Sequence, residues 1–175
     1  MITKNIKQRM KEYFLQNPTV KTRVRQLERS LKLPLPSVIR YIKELEQEQL
    51  IKSEVFGGMK LYSANRASKE FILEKKLYNL KTLFDCGLVD YIIEKYHNPT
   101  LSVFGSYSLG EDIEDSDIDI YIETSNKEMN LKNFETKLKR KIQIFCYKNI
   151  KRVENKELAN SIINGTRLNG FLEVF

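Results

Sequence analysis

Residues 101–123 read LSVFGSYSLGEDIEDSDIDIYIE, and the fold of the chain turns on how this stretch is parsed. LSVF is a short β-prone run that stops at Gly105-Ser106, and DIDIYI is a second run with strict alternation. Side chains two apart on a strand share a face, so Ile118, Ile120 and Ile122 are expected to enter a core. Asp117 and Asp119 then project together from the opposite face. Seven acids lie between Gly105 and Glu123 (Glu111, Asp112, Glu114, Asp115, Asp117, Asp119, Glu123), with no Lys or Arg among them. Glu111, Asp112, Glu114 and Asp115 are expected to be solvated loop residues.

Adjacent carboxylates repel, and burial disfavours their charged form unless a cation holds them. A donor set made only of oxygen suits Mg²⁺, which takes one or two carboxylates and leaves its other positions to water and substrate phosphates. The Gly105-Ser106 turn supplies the complementary half. A glycine admits close backbone approach, and successive amide N–H groups with a serine hydroxyl cradle a phosphate. If Ser106 opens a short helix through Leu109, its N-terminal end favours an anion as well. Carboxylates on one strand and a phosphate cradle on the turn after its neighbour form a site for a metal-bound nucleoside triphosphate. The bland alternative is a polar strand face with no ligand.

Gly105-Ser106, ten intervening residues, then Asp117-Ile118-Asp119 resembles the signature of the DNA polymerase β-like nucleotidyltransferases, with the small minimal nucleotidyltransferases of prokaryotes as the nearest likeness. The resemblance covers about residues 86–150. It implies that Asp117 and Asp119 are catalytic residues binding one or two Mg²⁺ ions, and that Gly105 and Ser106 hold the triphosphate of an NTP, ATP being the expected one. A nucleotidyl group, often AMP, would pass to a hydroxyl acceptor with release of pyrophosphate. Two positions depart from the family pattern. Leu109 stands where a basic residue often holds phosphate. Gln143, on the expected strand RKIQIFCY, stands where a third carboxylate is common, and an amide is no general base near neutral pH. Lys139, Arg140 and Lys141 fit either a phosphate-contacting role or a solvated edge.

Outward from this centre, the charge is unevenly distributed. The chain of 175 residues carries a net +7. Residues 1–66 hold 14 Lys and Arg against six Glu, a net of +8, and the remainder is close to neutral. That asymmetry points to a nucleic-acid-facing module joined to something else. Ile2, Ile6, Met10 and Phe14 recur at helical spacing; Val24, Leu27 and Leu31 mark a second helix, and Val38, Ile42 and Leu45 a third after Pro34 and Pro36. Gly57-Gly58 between two β-prone runs signals a hairpin. LPLPSVIRYIKELEQEQLIKSEVFGGMKLY resembles the recognition helix and wing of winged helix-turn-helix domains. That resemblance implies DNA contact by Ser37, Arg40, Tyr41 and Lys43 from the helix, and by Lys52 and Lys60 from the wing. The competing reading is a solvated face on a domain used for protein contacts.

Residues 67–84 are expected to form a connecting helix with Leu73, Leu77, Leu80 and Phe84 on its apolar stripe, followed by a helix over about Leu88–Tyr96. His97, the single histidine, falls at that helix's end and reads as a surface residue. A last helix over about Asn155–Asn164 would bury Leu158, Ile162 and Ile163, with Gly165 as its stop. The terminal GFLEVF is expected to pack on the domain or on a partner; exposed, it would favour a homodimer. Cys86 and Cys146 read as packing thiols. No apolar run reaches the roughly 18 residues of a membrane span, and the first residues lack a signal-peptide core, so a cytoplasmic protein is expected.

The expected fold class is α+β: a winged helix domain over 1–66, a connecting helix over 67–85, and an α/β nucleotidyltransferase domain with a small mixed sheet over 86–175. The leading functional expectation is Mg-NTP-dependent nucleotidyl transfer by a DNA-binding protein. The alternatives are a DNA-binding transcriptional regulator whose degenerate transferase domain senses nucleotide, and an antitoxin-like partner of a HEPN-type toxin.

Overall fold

The structure, a computed structural model, describes residues 5–126 and 128–175. Ile2 lies outside the described residues. The chain divides into two compact units, Met1–Tyr78 and Asn79–Phe175. No described helix is long and apolar enough to cross a membrane.

Three helices and a hairpin build the first unit: α1 (Ile6–Gln16), α2 (Val24–Leu31), α3 (Leu35–Gln47), β1 (Ile51–Phe56) and β2 (Met59–Ala64). Asn5 caps α1 by accepting from the Lys7 N–H at 3.1 Å, satisfying one orphan donor. Pro36 falls in the first turn of α3, where a missing N–H costs nothing. Each helix buries its apolar stripe: Met10 and Phe14 from α1, Leu27 from α2, and Val38, Ile42 and Leu45 from α3. Gly57 and Gly58 join β1 to β2 with φ of +56° and +73°, the pair of positive angles that a tight two-residue hairpin requires. Thr22 exchanges two backbone hydrogen bonds of 2.8 Å with Tyr62, tying the segment between α1 and α2 to the hairpin.

The helix α4 (Lys69–Asp85) differs from its sequence expectation. Phe71 and Lys75 are buried in the first unit and Asn79 and Leu83 in the second, whereas Leu73, Leu77 and Phe84 are exposed. Leu80 alone of the expected stripe reaches a core. The inward positions of α4 include two polar residues, so hydrophobic periodicity selects the wrong face.

The second unit is a four-stranded mixed sheet in the order β5-β4-β3-β6. Its strands are β3 (Leu101–Phe104), β4 (Ile118–Glu123), β5 (Ile142–Tyr147) and β6 (Thr166–Asn169). β3 pairs antiparallel with β4 and β6, and β4 pairs parallel with β5. A parallel pair needs a crossover, here carrying α7 (Lys132–Leu138). Ile118, Ile120 and Ile122 meet Leu101, Val103 and Ile142 in one core, together with Leu88 and Ile92 of α5 (Leu88–Lys95). On the other face Phe104 and Tyr121 pack with Ile150, Val153, Leu172 and Ile162 of α8 (Lys156–Ile163). The isoleucines therefore alternate as the sequence demands.

Several ends depart from expectation. Ile163 is 37% exposed, because α8 directs only Ile162 fully into the core. Gly165 does not take a left-handed helix stop. A Cβ there would lie 2.6 Å from Val103 O and 2.8 Å from Phe104 Cβ, so the glycine allows the α8–β6 corner to press against β3. β6 and α7 have no counterpart in the sequence reading. In the terminal GFLEVF only Leu172 is buried; Phe171 and Phe175 are exposed. Cys86 and Cys146 form no disulfide and lie half-buried beside a core, and His97 is exposed.

Candidate active site

The site begins with β3, all four of whose residues are buried. The strand ends at Phe104, and Gly105 turns the chain at φ +68° into the short helix α6 (Gly105–Leu109). Phe104 is paired with Asp119 on β4. The Asp119 carboxylate therefore stands beside the Gly105 turn. A Cβ on residue 105 would fall 2.5 Å from Asp119 Oδ2 and push that carboxylate aside, and the left-handed backbone angle favours glycine there as well. Ser106 is half-buried in the first turn of α6.

Asp117 lies one residue ahead of β4, two positions from Asp119, and is exposed. Burial raises the pKa of Asp119 above its ordinary value, and the charge of Asp117 raises it further. The second cause places the two carboxylates within electrostatic reach of each other. Gln143 on β5 is the parallel-register neighbour of Asp119 and is exposed, so the strand beside Asp119 presents an amide at that position and not a carboxylate. Among the described residues no group of three or more His, Cys, Asp or Glu is placed to hold a metal ion. Two carboxylates beside a glycine cradle nevertheless suit Mg²⁺, which fills the rest of its octahedron with water and phosphate oxygens.

Behind α6 a buried polar network fixes its orientation. Ser108 Oγ donates to Gly105 O at 3.0 Å. The Tyr107 hydroxyl lies 2.9 Å from Thr82 Oγ1. Asn79 Nδ2 donates to Tyr107 O at 2.8 Å and to Asp112 Oδ1 at 2.6 Å. Arg140 completes the network: it pairs with Asp112 Oδ2 at 2.8 Å and donates to Ser116 O at 2.9 Å and to Ile113 O. Asp112 is thus a buried structural acid and not a solvated one. Arg140, only 9% exposed, is neither a phosphate ligand nor a solvated edge. Together they clamp the loop that delivers Asp117. Sequence spacing gives no hint of a pair 28 positions apart. Lys139 and Lys141 are exposed, as are Glu111 and Asp115; Leu109 is 46% exposed on α6.

The residues with expected DNA contacts lie on α3 and the hairpin of the first unit. Arg40 is exposed; its guanidinium lies 4.3 Å from the Tyr41 ring centroid and donates to the Tyr41 hydroxyl. Its Nε is 3.8 Å from Glu44. Lys43 is exposed, while Ser37 and Tyr41 are half-buried. On the hairpin Lys52 and Lys60 are exposed, and Lys60 approaches Glu46 at 3.6 Å.

Comparison with known proteins bears on the second unit. Searches among characterised proteins and among solved structures find no match. Residues 86–167 match the family model described as the nucleotidyltransferase domain. The match spans the Gly105-Ser106 turn, Asp117, Asp119 and Gln143, and it supports a nucleotidyltransferase domain over that stretch of the chain.

Proposed function

We propose that the second unit transfers a nucleotidyl group from an Mg-bound NTP to a hydroxyl acceptor, and that the first unit is a winged helix that brings the enzyme to DNA. The carrying observation is the apposition of the half-buried Asp119 carboxylate to the Gly105 turn, with Asp117 two positions ahead of it in the chain. Asp117 and Asp119 are the residues that would hold Mg²⁺, and the α6 backbone with Ser106 would hold the triphosphate. Bound there, the metal would neutralise charge on the transferring phosphoryl group. The acceptor oxygen bonds to the α-phosphorus as the bond to the bridging oxygen breaks, and pyrophosphate leaves. Gln143 cannot take the hydroxyl proton, so water or one of the two aspartates receives it.

The acceptor is tested by incubating the protein with each α-labelled NTP, Mg²⁺ and cell lysate. A labelled acceptor and matching pyrophosphate release are expected, both lost in Asp119→Asn. No labelled product with any NTP would refute the transferase reading. A second reading is favoured by Gln143 and Leu109: the domain binds Mg-NTP without turnover and reports nucleotide to the DNA-binding unit. That reading requires DNA affinity to change on adding Mg-ATP.

A further inference from the structure

On the isoleucine face of the sheet, the face away from Asp119, α5 and α7 border an open groove of about 600 Å³. Tyr91 of α5 and Phe134 of α7 line it with ring centroids 5.1 Å apart, and Asn130, Lys132, Asn133 and Thr136 supply its polar edge. Both rings are half-buried against the isoleucine core, so each is held in place while part of it stays in the groove. A second groove of about 340 Å³ shares Lys132 and Thr136 and adds Lys139 and Lys141. The two are continuous along α7, and neither Asp117 nor Asp119 lines either of them.

Cations flank the rings. Lys137 Nζ lies 5.6 Å from the Phe134 ring centroid and is held there by donating to Cys86 O at 3.2 Å. Lys95 Nζ, one turn along α5, lies 5.9 Å from the Tyr91 centroid. Lys95, Lys132, Lys139 and Lys141 are exposed, and among the described residues none of them forms an ion pair. Glu135, the acid of α7, is turned back to accept the Ile142 N–H at 3.0 Å. Asp90 and Glu94 each precede Tyr91 and Lys95 by one position, about a quarter-turn round the helix.

Positive charge alone would suit any polyanion. Rings interleaved with it select a polyanion that carries exposed rings of its own, since bases stack on aromatic side chains while ammonium groups meet the phosphates between them. The carboxamides of Asn130 and Asn133 offer a donor and an acceptor to base edges. A duplex hides its base faces, and a lone nucleotide would leave the second groove empty. We infer that the α5–α7 face binds a single-stranded nucleic acid, with bases stacked at Tyr91 and Phe134 and phosphates at Lys95, Lys132, Lys137 and Lys139. The inference goes beyond nucleotidyl transfer and does not depend on it.

The test is fluorescence anisotropy of the full chain with a labelled oligo-uridine of about twelve nucleotides. EDTA is present, so that no Mg²⁺ engages the aspartate pair. Lys95→Gln combined with Lys132→Gln replaces exposed helical cations with another good helix former, so the fold is retained. That variant is expected to lose affinity, and the slope of log K against log salt to become shallower by about 0.7 for each lysine. Tyr91→Leu keeps an apolar side chain against the core; it is expected to weaken binding about five-fold or more with the slope unchanged. No oligonucleotide binding by wild type, or wild-type affinity in both variants, would overturn the inference. Where Tyr91→Leu fails to fold, unchanged affinity in the lysine variant is enough to overturn it. A poly-glutamate peptide of equal charge that binds as tightly as the oligonucleotide would also overturn it, since the face would then dock acidic protein.

Discussion

Half-buried beside Gly105 and facing the charge of Asp117, Asp119 ionises less readily than a free aspartate, so its charged form costs the folded chain stability. Below the ordinary value of 3.8 the acid is protonated in both folded and unfolded chains. As pH rises through 3.8 the unfolded chain releases its proton first, and stability falls until the folded group also ionises. Above that raised pKa the penalty is constant. Asp119→Asn is therefore expected to raise the melting temperature at pH 7.5 without divalent cations, with the gain shrinking as pH falls and vanishing well below 3.8. Thermal melts across that range check it; a gain independent of pH would contradict it. The aspartate pair was legible in the sequence because alternation with Ile118, Ile120 and Ile122 fixes its face. The burial of Asp112 was not, because it depends on Arg140 and Asn79, which only the fold brings together.

The elements around the site are fixed by close approach and by one buried ion pair. Gly165→Ala would drive a methyl group into the backbone of β3, at a cost of about 1–3 kcal/mol. Denaturant unfolding should show a lower midpoint, while a midpoint equal to wild type would mean that the corner relaxes freely. Arg140→Ala leaves the Asp112 carboxylate buried without its cation, a loss of about 3–5 kcal/mol. The same measurement reads it, and a change below about 1 kcal/mol would rule out the clamp. The α6 helix, the α3 helix and the Gly57-Gly58 hairpin could be read in advance, because turn chemistry and alternation are local. β6 could not: TRLN is a short, half-exposed strand specified by its pairing with β3 and not by a pattern of its own. On α4 the polar residues Lys75 and Asn79 occupy inward positions, so the apolar stripe pointed elsewhere.

For the whole molecule, the proposed functions divide along the chain as charge does. The net +8 of residues 1–66 accompanies Arg40 and Lys43 on the exposed face of α3, whereas the acidic residues of the second unit gather at Asp117 and Asp119. Arg40→Ala is expected to weaken binding to the preferred DNA site by about 1–3 kcal/mol and to relax sequence preference. A gel-shift series at fixed salt checks it, and unchanged affinity and preference would remove α3 from the DNA interface. The proposed function requires two aspartates and the Gly105 turn to hold a metal-bound triphosphate jointly. The most direct measurement is calorimetric binding of a non-hydrolysable ATP analogue to wild type, Asp117→Asn and Asp119→Asn, with and without Mg²⁺. Mg²⁺-dependent binding to wild type is expected, weakened by about 100-fold or more in either variant, since metal neutralisation of phosphate charge is worth several kcal/mol. Binding of equal strength in all three proteins, or binding indifferent to Mg²⁺, would contradict it.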